Sequence, residues 1–121
     1  MDKQQGLWAF WSMVGIPAYA EGQVPKDAEF PYITYQKLHG DFESQVYPMG
    51  TIWTRDSSWE QADRYENQIS QILEGGQQIA IDSGYIQIDK GNPFSQQTGD
   101  DNDELVKGYR INLQVSYLCA Y

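Results

Sequence analysis

Apolar residues recur along this chain with two periods. Leu7, Phe10, Trp11 and Val14 fall at i, i+3, i+4 and i+7, which predicts a helix over Asp2–Val14 with one apolar stripe. Gly15, Pro17 and Gly22 end it and open a loop that runs to about Asp27. From Tyr32 to His39 the period drops to two. Tyr32, Thr34, Gln36 and Leu38 share one face, and Ile33, Tyr35, Lys37 and His39 the other. Aromatic and β-branched residues suit that pleated surface. Gly40–Pro48 is polar and reads as the connection to a second strand, Met49–Arg55, where Met49, Thr51 and Trp53 share a face. The two strands are expected to pair as an antiparallel hairpin with a wide loop.

Ser57-Ser58-Trp59-Glu60 has the form of a capping box, with Ser57 as N-cap and Glu60 reaching back. The helix that follows carries Trp59, Ala62, Tyr65 or Glu66, Ile69, Ile72 and Leu73 toward a core. Gly75-Gly76 stops it. Ile79 and Ile81 then alternate in one phase and Ile86 and Ile88 in the other, so Asp82-Ser83-Gly84 is either a bulge or a tight turn. Ile79–Lys90 and Lys107–Tyr117 read as extended arms. The second is the cleaner, with Tyr109, Ile111, Leu113, Val115, Tyr117 and Cys119 on one face. Gly91–Val106 between them reads as a long acidic loop, and a connection of that length in a small domain is disordered or functional. The expected fold is α+β: a mixed or mostly antiparallel sheet of about four strands, with the N-terminal helix and one central helix packed on one face.

Length and charge narrow the classes. The chain has 121 residues, enough for one domain and one core. Eight basic residues stand against 17 acidic ones, a net charge of −9, and the basic residues do not cluster. Phosphate backbones are gripped by Lys and Arg clusters, so direct affinity for nucleic acid or an anionic membrane is not expected. No leader with a basic start is apparent, and no apolar run approaches the ~20 residues that cross a bilayer. A soluble intracellular protein is the expectation. The single cysteine, Cys119, excludes an intrachain disulfide and fits a reducing compartment.

Candidate chemistry is sparse. Cys119 sits among apolar alternating positions and reads as a small buried residue rather than a nucleophile. His39, the one histidine, reads as a surface residue at a strand end. The acidic run within Gly99–Glu104 lacks the alternate acids and central glycine of a calcium loop, so a solvated loop is the better reading. Trp8, Trp11, Trp53 and Trp59 read as core or interface anchors; a stacking platform for nucleic acid would want basic neighbours. No metal, cofactor or catalytic residue is assigned. An enzyme is not expected. Candidate contact residues are Pro93 and Phe94 near the start of the long segment and Asp100, Asp101, Asp103 and Glu104 near its end.

Several segments together carry a family resemblance. They are Val24-Pro25, Phe30-Pro31-Tyr32-Ile33-Thr34-Tyr35 and Ile52-Trp53-Thr54-Arg55-Asp56-Ser57-Ser58-Trp59, followed by Lys90-Gly91-Asn92-Pro93-Phe94-Ser95-Gln96 and Gly108–Leu118. In this order they resemble the small tail-completion, or tail terminator, proteins of tailed bacteriophages, also labelled minor capsid proteins. The Trp-x-Arg-Asp-x-x-Trp element is the most specific part. The acidic tip and the Cys119-Ala120-Tyr121 ending do not map onto that pattern. The resemblance implies a virion protein of the neck, assembled in the host cytoplasm. It implies a homohexameric ring that caps the tail tube protein, joins it to the head connector, and lets genomic DNA through without specific binding. An acidic lining suits that passage through like-charge repulsion. The long loop is then expected to hook a neighbouring subunit or the tube. A head-closure protein is the alternative within this class: its loss leaves leaky heads with normal tails, whereas loss of a terminator leaves tails of irregular length. An acidic DNA mimic that inhibits a host enzyme is the alternative from another class.

Overall fold

A computed structural model describes residues 1–39, 45–82 and 84–119, without the side chain of Cys119. Among the described residues two helices and seven strands follow in the order α1 (Lys3–Ser12), β1 (Ala18–Ala20), β2 (Tyr32–Tyr35), β3 (Gln45–Val46), β4 (Met49–Arg55), α2 (Glu60–Ile72), β5 (Gln77–Ile81), β6 (Gly84–Asp100) and β7 (Asp103–Cys119). The strands form one sheet in the order β1-β2-β4-β7-β6-β5, with β3 also paired to β7. It curls into a half-barrel, which corrects the expected sheet of about four strands with one central helix. The additional strands come from two sources. Two very short segments are held only by pairing, and β6 continues through residues expected to be a loop.

β7 is the spine. Gln45 faces Ser116 and Arg55 faces Val106 in one unbroken register, so β3 and β4 act as a single strand interrupted at Tyr47-Pro48. Pro48 has no N–H to give, yet its carbonyl accepts from Leu113 N–H at 3.0 Å. On its other side β7 pairs with β6 from Gly84↔Cys119 to Lys90↔Leu113, then resumes at Ser95↔Ile111. Residues 91–94 therefore stand opposite Asn112 alone, a wide bulge. The shift resets the alternation of β6. Ile86 and Ile88 point inward before it, and Ser95 reaches helix α2 after it.

The inner face holds the core: Ile33, Ile52, Ile86, Ile88, Ile111, Leu113 and Val115 are fully buried. Both helices lie against it. Asp2 and Gln5 exchange side-chain and backbone hydrogen bonds of 2.8 and 2.9 Å, a capping box that opens α1. Leu7, Phe10 and Trp11 turn inward as the periodicity predicts. The expected box at Ser57 does not form. The N–H of Ser57 goes to Asp56 at 2.6 Å and its hydroxyl turns to the same carboxylate. The helix starts later, at Glu60, with no side-chain cap on Trp59. From there Ala62, Ile69 and Leu73 bury an apolar stripe. A polar stripe beside it binds the sheet: Asp63 accepts from the Tyr109 hydroxyl, Glu66 from Ser95 at 3.1 Å, and Ser70 from Lys90 Nζ at 2.8 Å. Gly75 and Gly76, at φ of +80° and +82°, end the segment as expected.

β5 and β6 form a tight hairpin, with Ile81 opposite Gly84, which decides between the two readings of that segment in favour of a turn. β2 and β4 pair antiparallel, as the alternation predicts. His39 lies exposed, beyond the end of β2. The reading of Cys119 as a buried side chain falls outside the described residues.

One close approach fixes how α1 sits on the sheet. A Cβ at Gly50 would stand 2.5 Å from Trp11 Cζ2, so the indole rests directly on that backbone. Its ring also stacks on Tyr35 at 6.3 Å. We predict that Gly50→Ala lowers stability by about 1–3 kcal/mol through overpacking, and that Trp11→Phe in the same chain recovers part of the loss. Denaturant unfolding of the two variants and the pair checks this; additive losses would contradict the contact.

Candidate functional site

The sequence singles out residues in two places, and the fold separates them. Pro93 and Phe94 lie in the bulge in mid-strand, and Asp100, Asp101, Asp103 and Glu104 at the turn between β6 and β7. Five paired positions of β6, Ser95 to Gly99, lie between bulge and turn, roughly 17 Å of strand. The long acidic loop expected over Gly91–Val106 is instead strand on both arms, with Asp101-Asn102 as the turn. Pairing with β7 accounts for the difference. An Asn-Pro pair breaks a regular ladder, but a bulge gives it a place within one.

Phe94 is not a free wedge. It is half-buried against the core, with Lys90 Nζ 5.1 Å above its ring, and Asn112 Nδ2 donates to the Pro93 carbonyl at 2.8 Å. Of the pair, Pro93 is the exposed one.

The acidic turn is tied down as well. Asp100 Oδ1 accepts from Asn102 N–H at 2.9 Å and Asp103 Oδ1 from Leu105 N–H at 3.0 Å. Arg55 Nε, at the end of β4, donates to Asp103 Oδ2 at 2.9 Å. These bonds, the Arg55 guanidinium first, hold the Asp103 carboxyl below the ordinary carboxylate range. Asp56 N–H adds a backbone bond to the Leu105 carbonyl.

On the outer face, away from both helices, a group of aromatic side chains flanks this turn. Tyr32 lies directly across from Trp53 in the register of β2 and β4. Phe30 packs on Tyr32 at 5.2 Å between ring centres, and Tyr19 of β1 meets it edge-on at 6.0 Å. Trp53 is oriented by donating Nε1–H to Thr34 Oγ1 at 3.0 Å. Phe30, Tyr32 and Trp53 share an open depression of about 360 Å³ with Gly99, Asp100, Asp101, Asn102 and Val106. The structure thus brings two of the predicted acids, Asp100 and Asp101, beside an aromatic wall that the sequence reading did not connect with them. The available signal was the phase of Tyr32 and Trp53, opposite in alternation to Ile33 and Ile52.

Trp11 is core, whereas Trp8 on α1 is 51% exposed. Among the described residues no three His, Cys, Asp or Glu side chains converge as metal ligands, and no helix is long and apolar enough to cross a membrane. No model of a known protein family matches the chain, and no curated protein is similar to it in sequence.

Two outcomes follow from this geometry. Phe94→Ala is expected to cost roughly 1–2 kcal/mol in denaturant unfolding, less than the ~3–5 kcal/mol of a fully buried ring; unchanged stability would return Phe94 to the role of a free contact. The Asp103–Arg55 tie is stabilised by the charged carboxyl. Its contribution is fully present above the ordinary carboxylate range and is lost as pH falls through the lowered Asp103 titration. Protection factors at Asn102–Leu105, taken against the intrinsic exchange rate at each pH, should fall over that acid window, and Arg55→Leu should show the lowered protection already at neutral pH.

Proposed function

We propose that this chain is a virion structural subunit of a tailed bacteriophage, of the tail terminator kind, whose copies close into a ring between tail tube and head connector. The observation that carries the reading is the uncovered outer face. Both helices pack on the inner face of the curled sheet, which leaves Tyr19, Phe30, Tyr32 and Trp53 clustered on the other side, with Phe30 38% exposed. Tyr85 and Leu118, paired across β6 and β7, add a second apolar spot that faces outward at the far end of the sheet. Grouped apolar side chains of this kind mark surfaces that meet another protein. The order of strand and turn segments that resembles the tail terminator family supports the same reading.

Charge supports it too. A net charge of −9 disfavours retention of passing DNA, as a neck component requires. A ring made this way uses a heterologous interface closed by rotation, so opposite sides of each subunit meet. The Asp-rich turn, held at the end of a long hairpin, then acts as a rigid edge for contact with a neighbour or the tube.

Light scattering of the purified chain is expected to give one species at a fixed multiple of 13.9 kDa that binds the ends of tail tubes. A monomer at every concentration that ignores tube ends would overturn the reading. Loss of the gene is expected to leave tails of irregular length; leaky heads beside normal free tails would assign the protein to head closure instead.

A further inference from the structure

We propose that the depression between the aromatic outer face and the acidic turn receives an arginine side chain carried by a basic segment of a partner protein. The inference rests on the reading of that face as an assembly surface and gives the partner its chemistry. Phe30, Tyr32 and Trp53 supply π faces, and Asp100 and Asp101 supply carboxylates at the rim of the same depression. A guanidinium fits both parts at once. It is planar and weakly hydrated, so it stacks on aromatic rings, and its fork of donors matches carboxylates. A lysine ammonium is a compact, strongly hydrated charge and uses the aromatic wall less well.

The site is built before any partner arrives. The Trp53 indole is fixed by its bond to Thr34, and the turn that carries the acids is held by Asp103, Arg55 and the Asp100–Asn102 bond. Arg55 is engaged on Asp103, and neither Asp100 nor Asp101 forms an ion pair among the described residues. The partner is argued from charge. Asp100 and Asp101 give this rim two negative charges with no ion-pair partner among the described residues, and these draw a basic segment of another protein.

The test uses the full chain and three small probes, N-acetyl-arginine amide, its lysine counterpart and the neutral isostere N-acetyl-citrulline amide, at fixed ionic strength. The readouts are the Trp53 indole N–H resonance and the carboxyl resonances of Asp100 and Asp101. Arginine is expected to move all three, lysine to move them less, and citrulline to leave them in place. Asp100→Asn with Asp101→Asn is expected to weaken arginine binding about fivefold, the scale of exposed charge pairs; asparagine keeps the acceptor for Asn102, so the turn stays folded. Phe30→Leu, which keeps apolar volume but removes the π face, is expected to narrow the preference for arginine over lysine. Equal shifts with citrulline, shifts spread over all carboxylates, or no loss in the double variant would each overturn the proposal. A chain that assembles but shows no arginine-specific shift loses the proposal and keeps the assembly reading. A chain that binds arginine as a strict monomer does the reverse.

Discussion

Strand β7 carries hydrogen bonds on both edges for most of its length, and every other part of the sheet takes its position from it. Its inward residues Ile111, Leu113 and Val115 are fully buried. A slip of one residue would turn all three to solvent, so register here is strongly specified. β3 and β4 obey it in one continuous ladder despite the break at Tyr47-Pro48. β6 obeys it by a different route. It shifts at residues 91–94 and returns in a new phase, so that Ser95 meets Glu66 where a regular strand would have turned away. The bulge is what lets one strand serve the hydrophobic core at one end and the polar flank of α2 at the other.

That arrangement places both helices on one side. α2 needs a surface with apolar and polar parts in register with its two stripes, and the inner face of β4, β6 and β7 provides it. α1 needs a flat spot for Trp11, and Gly50 provides that. With the inner face filled, the aromatic residues of the opposite phase have nowhere to go within the chain. Their exposure follows from the alternation itself, since side chains of successive strand residues point to opposite faces. The surface offered to partners is thus set by the same constraint that builds the core.

Periodicity made the local elements legible. The stripe Leu7, Phe10, Trp11 and Val14 gave α1, the alternation from Tyr109 to Tyr117 gave the spine, and the alternating runs that start at Tyr32 and Met49 marked a true antiparallel pair. Other features depended on distant partners and left little local trace. Ala18–Ala20 is three residues among turn formers, held by parallel pairing to β2. Gly91-Asn92-Pro93 carries every local sign of a loop, and only its pairing with β7 makes it a bulge. The capping box failed because Asp56, one residue upstream, competed for Ser57. At the site, the acids were legible and their aromatic neighbours were not, because β2, β4 and the β6–β7 turn meet there from widely separated parts of the chain.

The replacement of a loose loop by a fixed turn changes how this part of the molecule can act. A free segment of that length loses conformational entropy when a partner orders it, on the order of 1–2 kcal/mol for each residue's backbone. A turn already held by Arg55, Asp103 and the Asp100–Asn102 bond has given up that freedom on folding. Contacts made by Asp100 and Asp101 then translate more fully into affinity. The same rigidity sharpens discrimination, because a carboxylate held in place, as that of Asp100 is, favours the flat, forked group that fits it where it stands.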